Sequence, residues 1–159
     1  MNYMKILMDS DCLIKITKAG LKDLIGRRYQ IVIPDIVQKE VVLSGKSKGC
    51  EDAFIVEENI ESNVIKVSES PSKFNNGDDA LLGQFRNSDY DVAATDDAKL
   101  TRRLIANDIP FILPALIIFK LFADNNIDRA AFSKAMDKLA PFISKDEYST
   151  VILLAEKEK

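Results

Sequence analysis

The sequence predicts a three-layer α/β/α sandwich, with helices on both faces of a mostly parallel sheet. Two observations carry that expectation. Short β-rich apolar segments at about 5–9, 30–33, 63–68, 91–95 and 109–113 alternate with stretches whose apolar residues recur at helical spacing. The connections are short, and right-handed strand–helix–strand crossovers place helices on both faces of such a sheet. At 159 residues the chain suffices for one domain with a sizeable core.

KILMD opens as a strand at about 5–9, and KITKAGLKDLIG (15–26) reads as a helix stopped by Gly26 as its C-cap. QIVI (30–33) is a strand, and Pro34 suits the first turn of a helix carrying Ile36, Val37, Glu40 and Val41. LSGKSKGCED (43–52) reads as a loop, AFIVEENIES as a helix, NVIKVS (63–68) as a strand and ESPSKFNNG (69–77) as a turn-rich loop. A helix opens after Gly77, and Thr95 ends strand 91–95 as a cap for DDAKLTRRLIAND. IPFIL (109–113) is the last strand, followed by the helix ALIIFKLFADN. Asp128 suits the cap of one further helix, and Ser144 with Glu147 forms a capping-box pattern before another. Residues 1–124 are expected to form the functional domain, with 125–159 a helical extension packed on it or serving dimer contacts.

Composition removes several chemistries. The chain has no histidine, which excludes Ser-His-Asp and Cys-His catalysis and histidine zinc sites. Its net charge of −3 supplies no long-range attraction to nucleic acid. Cys12 and Cys50 suit reduced thiols. There is no apolar run long enough for a membrane span and no basic leader, so a cytoplasmic protein is expected.

Carboxylates remain. Functional groups of a parallel sheet gather at the carboxyl ends of its strands. Asp9 and Asp11 lie where the first strand ends, Asp96 and Asp97 directly after strand 91–95, Glu40 in the helix after strand 30–33, and Asp78 and Asp79 at the start of a helix. Separately, each has a plainer reading. Asp96, Asp97, Asp78 and Asp79 suit helix N-termini, where acids are favoured, and Glu40 suits a solvated helix face. Gathered at one rim they would repel, and hard divalent cations with oxygen ligands, Mg2+ or Mn2+, are their natural counter-charge.

MDSDCLI resembles the first motif of PIN-domain nucleases, PDIVQKEVV their second, NGDDALL their third and ATDDAKLTRRL their fourth, in order from about residue 4 to residue 122. The resemblance implies a Mg2+- or Mn2+-dependent ribonuclease acting on single-stranded RNA, a five-stranded parallel sheet and frequent homodimers. It implies catalytic metal ligands at Asp9, Glu40, Asp79 and Asp96, with Ser10, Asp11 and Thr95 in support. Asp78 competes with Asp79 for the third position, and Asp97 with Asp96 for the fourth. A stand-alone domain of this kind resembles toxins of the VapC type, which implies a small antitoxin protein as partner. For such a substrate, Lys46, Lys48, Arg102 and Arg103 would meet the RNA backbone and Phe74 a base, although each also suits ordinary surface roles. The competing readings are a non-catalytic PIN-like RNA- or protein-binding module and a haloacid-dehalogenase-type phosphatase. The latter suits the Asp9–Asp11 pair but expects Gly77-Asp78-Asp79 to end a buried strand.

Overall fold

In the computed structural model, which describes residues 4–61, 64–69, 74 and 76–158, five strands form one all-parallel sheet. They are β1 (Lys5–Met8), β2 (Gln30–Pro34), β3 (Ile65–Ser68), β4 (Val92–Ala94) and β5 (Phe111–Ile112). The spatial order is β3-β2-β1-β4-β5. The chain therefore builds outward from β1 through β2 and β3, then returns to the other side of β1 for β4. That reversal opens a crevice at the carboxyl ends of β1 and β4.

The central strand is apolar because both its faces are covered. Ile6, Leu7 and Met8 are fully buried. Ile6 and Met8 face Leu13 and Ile16 of α1 (Ser10–Lys18) and a cluster that includes Ile117 and Leu121. Leu7 faces the other way, toward Leu81, Leu100 and Leu104. Each such side chain contributes about 1.5–3 kcal/mol by leaving water, so the sheet centre is held rigidly beneath the crevice.

Helix boundaries depart from the sequence reading at several points. The first helix begins at Ser10, not at residue 15, because Asp9 caps it. It breaks at Gly20, which adopts the left-handed φ of +71°, before α2 (Lys22–Gly26). Gly26 is not the left-handed cap: the residue after it is right-handed, and a Cβ at Gly26 would lie 2.9 Å from Val64. Its small size admits the turn leading to β3. Pro34 ends β2 and precedes α3 (Asp35–Gln38) instead of lying within its first turn.

The segment 43–52 is mostly helical, not a loop. After α3 the chain widens into a π-helical turn over Lys39–Leu43, tightens into α4 (Ser44–Ser47), turns at left-handed Gly49 and enters α5 (Glu51–Glu61). Of the loop expected at 69–77, residues 70–73 and 75 lie outside the described residues, as does residue 63 of the expected third strand. Gly77 itself already belongs to α6 (Gly77–Asn87), and α7 (Ala98–Ala106) follows β4.

After α8 (Pro114–Ala123), Asp128 caps α9 (Arg129–Leu139) by accepting from the Ala131 amide at 2.8 Å, and α10 (Lys145–Glu156) is the last described helix. Phe132, Met136, Leu139, Val151 and Ala155 from these last helices join the same core cluster as Ile6 and Met8. Among the described residues, no helix is long and apolar enough to cross a membrane.

Candidate active site: an acidic rim at the carboxyl end of the sheet

Asp9 follows the last residue of β1 and is buried, with 4% of its surface exposed. Both carboxylate oxygens have donors. Oδ1 accepts from the Cys12 amide at 2.8 Å, which caps α1, and Oδ2 accepts from the Thr95 hydroxyl at 2.5 Å. Burial pushes the Asp9 carboxyl from its ordinary 3.8 up to about 7. The two hydrogen bonds oppose that rise, and the charges of Asp11 and Asp96 add to it.

Thr95 is fully buried and is not the helix cap. That place belongs to Asp97, whose Oδ2 accepts from the Leu100 amide at 2.8 Å. The Thr95 hydroxyl instead bridges, donating to Asp9 and accepting from the Asp97 amide at 3.1 Å. Asp96 pairs with the Lys15 ammonium at 2.5 Å. Burial works against the Lys15 charge, but the Asp96 hydrogen bond and the charges of Asp96, Asp11 and Glu147 outweigh it and raise its pKa.

The third and fourth acidic segments meet at α6 and α7. Asn76 caps α6 by accepting from the Asp79 amide at 2.9 Å. Glu40, placed by the π-helical turn, accepts from the Gly77 amide at 3.1 Å, and a Cβ at Gly77 would crowd its Oε2 at 3.2 Å. Asp79 pairs with Arg103 at 2.8 Å. Asp78 has a raised pKa, through burial first and then the charge of Asp97, with Asp11 and Asp79 adding and Arg103 opposing.

Asp9, Asp11 and Asp96 thus share one electrostatic neighbourhood, and Asp11 links it to Asp78, on which the charge of Asp97 also acts. Glu40 reaches the same region through the first amide of α6. Ser10, the first residue of α1, is half-buried beside Asp9. The donor set is all oxygen and suits a hard cation. Among the described residues no three such side chains already converge on a single point. The fit therefore rests on the chemistry of the donors and on the mutual repulsion of Asp9, Asp11 and Asp96, which a divalent cation relieves.

Two residues of this rim escape a sequence reading. Lys15 is one, although Asp11 and Lys15 are four apart on α1 and a helix started at Ser10 would have placed them on one face. Glu147 is the other. Ser144 caps α10 by accepting from the Glu147 amide at 3.0 Å, which is half of the expected capping box. The Glu147 carboxylate, however, does not turn back on its own helix: it accepts from the Ala115 amide at 3.0 Å, at the uncapped start of α8. Burial raises the Glu147 pKa, the Ala115 amide opposes this, Asp96 adds to it and Lys15 opposes it. No local pattern in the sequence announces that contact.

The basic side chains divide. Lys46 lies in α4 and is paired with Glu57 at 2.9 Å, over the Phe54 ring at 5.4 Å. Arg103 is engaged by Asp79. Arg102 is exposed, and exposed Lys48 lines a cavity of about 220 Å3 with Glu40. Phe74 packs its ring on Gly83 of α6. Cys12 is buried and Cys50 exposed, both as free thiols.

Gly77-Asp78-Asp79 opens a helix and does not end a strand, the opposite of what the phosphatase reading needs. Among curated proteins, none matches the chain. A family model described as PIN domain matches residues 5–157, which takes in α9 and α10 as well as the motif-bearing segments. With the five-stranded parallel sheet and that match over nearly its whole length, the chain belongs to the PIN-domain family.

Proposed function

We propose that this chain is a ribonuclease that hydrolyses phosphodiester bonds of single-stranded RNA at the acidic rim, with Mg2+ or Mn2+ as its cofactor. The observation that supports it most is Asp9, a buried carboxylate at the reversal point of the sheet with Asp11 and Asp96 in its field. Asp9, Glu40, Asp79 and Asp96 would hold the cation, with Asp97 or Asp78 able to replace its neighbour. When bound, such an ion acidifies a water and offsets charge on phosphate oxygens.

The chain's own groups prepare that centre. Thr95 and the Cys12 amide orient Asp9, while the Lys15 ammonium and the Arg103 guanidinium offset the charges of Asp96 and Asp79 ahead of the cation. Exposed Arg102, and Lys48 in its cavity with Glu40, would meet an RNA backbone. In the fuller form of the proposal the protein acts in the cytoplasm as the toxin of a toxin–antitoxin pair. It works as a homodimer, with a separately encoded antitoxin covering the rim.

A second reading, a non-catalytic RNA- or protein-binding module, draws support from the Lys15–Asp96 and Arg103–Asp79 pairs, which neutralise two rim acids without a metal. One experiment separates them. Labelled single-stranded RNA is incubated with Mn2+, with Mg2+ and with excess chelator, using the parent and Asp9→Asn. Metal-dependent cutting that Asp9→Asn abolishes supports the nuclease; a folded, metal-loaded parent that binds RNA without cutting it supports the module.

A further inference from the structure

A cavity of about 320 Å3 opens beside Asp96, between the start of α8 and the first turns of α10. Leu113 and Leu116 give it an apolar lining, and Asp96, Asp146 and Glu147 a carboxylate one, with the Thr150 hydroxyl beside them. Asp96 belongs at once to this cavity and to the acidic rim, so whatever is processed at the rim has a neighbouring group within reach of the cavity.

The lining chemistry narrows the occupant. Ionised carboxylates accept hydrogen bonds and donate none, and they repel phosphate. The leucines favour a flat apolar face. An uncharged ring with N–H groups along its edge satisfies both, and a nucleobase splayed from a single strand is such a ring. Guanine offers N1–H and an amino group side by side, matching the two oxygens of one carboxylate. Uracil offers a single N–H between two carbonyl oxygens, which would face the acids.

We propose that this cavity is a base-recognition subsite that takes guanine in preference to uracil, built by the C-terminal helices next to the cleavage centre. This rests on the ribonuclease reading of the rim. It also involves α10 in substrate recognition. Glu147, anchored on the Ala115 amide, supplies part of the acceptor wall, and Asp146 and Thr150, both exposed, stand where an entering base would pass.

Two measurements test it. The first follows backbone amide NMR shifts of the metal-free protein titrated with guanosine and uridine 5′-monophosphates, which differ only in the base. Guanosine monophosphate should shift the amides of residues 144–151 and bind about tenfold more tightly, the scale of one good bidentate base contact. Equal binding of the two, or shifts confined elsewhere, overturns the subsite. So does free arginine displacing neither nucleotide but shifting those amides alone, which would mark a guanidinium site. The second compares cleavage of oligonucleotides that differ in one base beside the cut, using the parent, Asp146→Asn and Thr150→Trp. A guanine preference of about tenfold in the parent should collapse in both variants. Cutting by the parent without base preference overturns the subsite and leaves the nuclease standing. No cutting, with selective binding of guanosine monophosphate retained, overturns the nuclease and supports the base site.

Discussion

The Thr95 hydroxyl donates to Asp9 Oδ2 at 2.5 Å while accepting from the Asp97 amide at 3.1 Å, so one buried side chain ties the carboxyl ends of β1 and β4 together. The bond has two effects. It satisfies half of a carboxylate that burial would otherwise leave costly, and it fixes the direction in which Asp9 faces the rim.

Thr95→Val keeps the shape and removes the donor. We expect a loss of about 1–3 kcal/mol in urea unfolding of the metal-free protein at pH 8, where Asp9 is ionised, with Thr95→Ser retaining most of the stability. An unchanged unfolding midpoint in the valine variant would show that Asp9 finds another donor.

Asp9 also sets a pH dependence with a definite sign. Its carboxyl ionises near its ordinary 3.8 in the unfolded chain and at about 7 in the folded one. Between those values the folded state holds a proton that the unfolded state has released, so stability falls as pH rises through this window. The penalty is complete above the folded value and absent below the unfolded one. Its ceiling is on the order of 4 kcal/mol. Thermal unfolding in chelator at pH 5 and pH 8 should show the parent gaining more on acidification than Asp9→Asn does. Equal gains would place the Asp9 carboxyl at its ordinary value.

Glu147 caps a helix other than its own. Glu147→Ala leaves the Ala115 amide without its buried acceptor and should cost about 1–3 kcal/mol, while Glu147→Gln keeps an acceptor oxygen and should cost less. Urea unfolding reads both. Equal losses would mean that the charge, rather than the hydrogen bond, carries the contribution.

What the sequence discloses follows from how local each cause is. Asp9 is legible because an apolar strand stops there, and the parallel sheet is legible because its central strands β1 and β2 are buried on both faces and their apolar runs are bounded by turns. Thr95 reads wrongly as a cap because two adjacent acids compete for the same place, and only the tie to Asp9 decides between Thr95 and Asp97. The helical path through 43–52 is hidden because its glycines read as breakers, whereas a Cβ at Gly45 would collide with Ala53 at 2.7 Å, so a small residue is needed there inside α4. The Glu147–Ala115 bond spans 32 residues and has no local pattern to betray it. The same holds for Lys15 and Asp96, 81 residues apart.

That last pair yields the most direct test of the rim. Lys15 pairs with Asp96 and stands in the fields of Asp11 and Glu147, so it is the internal counter-charge of the acids that would otherwise await a cation. Lys15→Met removes it with the stem roughly preserved. The metal-free variant should then be less stable, because Asp96 and its neighbours repel without relief, and Mn2+ should bind more tightly, because the cation no longer competes with an ammonium. The gain is modest, on the order of threefold to tenfold, since the Lys15 side chain is 29% exposed and solvent screens the pair. Isothermal titration with Mn2+ reads the affinity, and Lys15→Arg serves as the charge-preserving control. Weaker Mn2+ binding in Lys15→Met would reverse the assignment: the ammonium would then be holding Asp96 in the posture a metal needs, and its ion pair would belong to the assembly of the site.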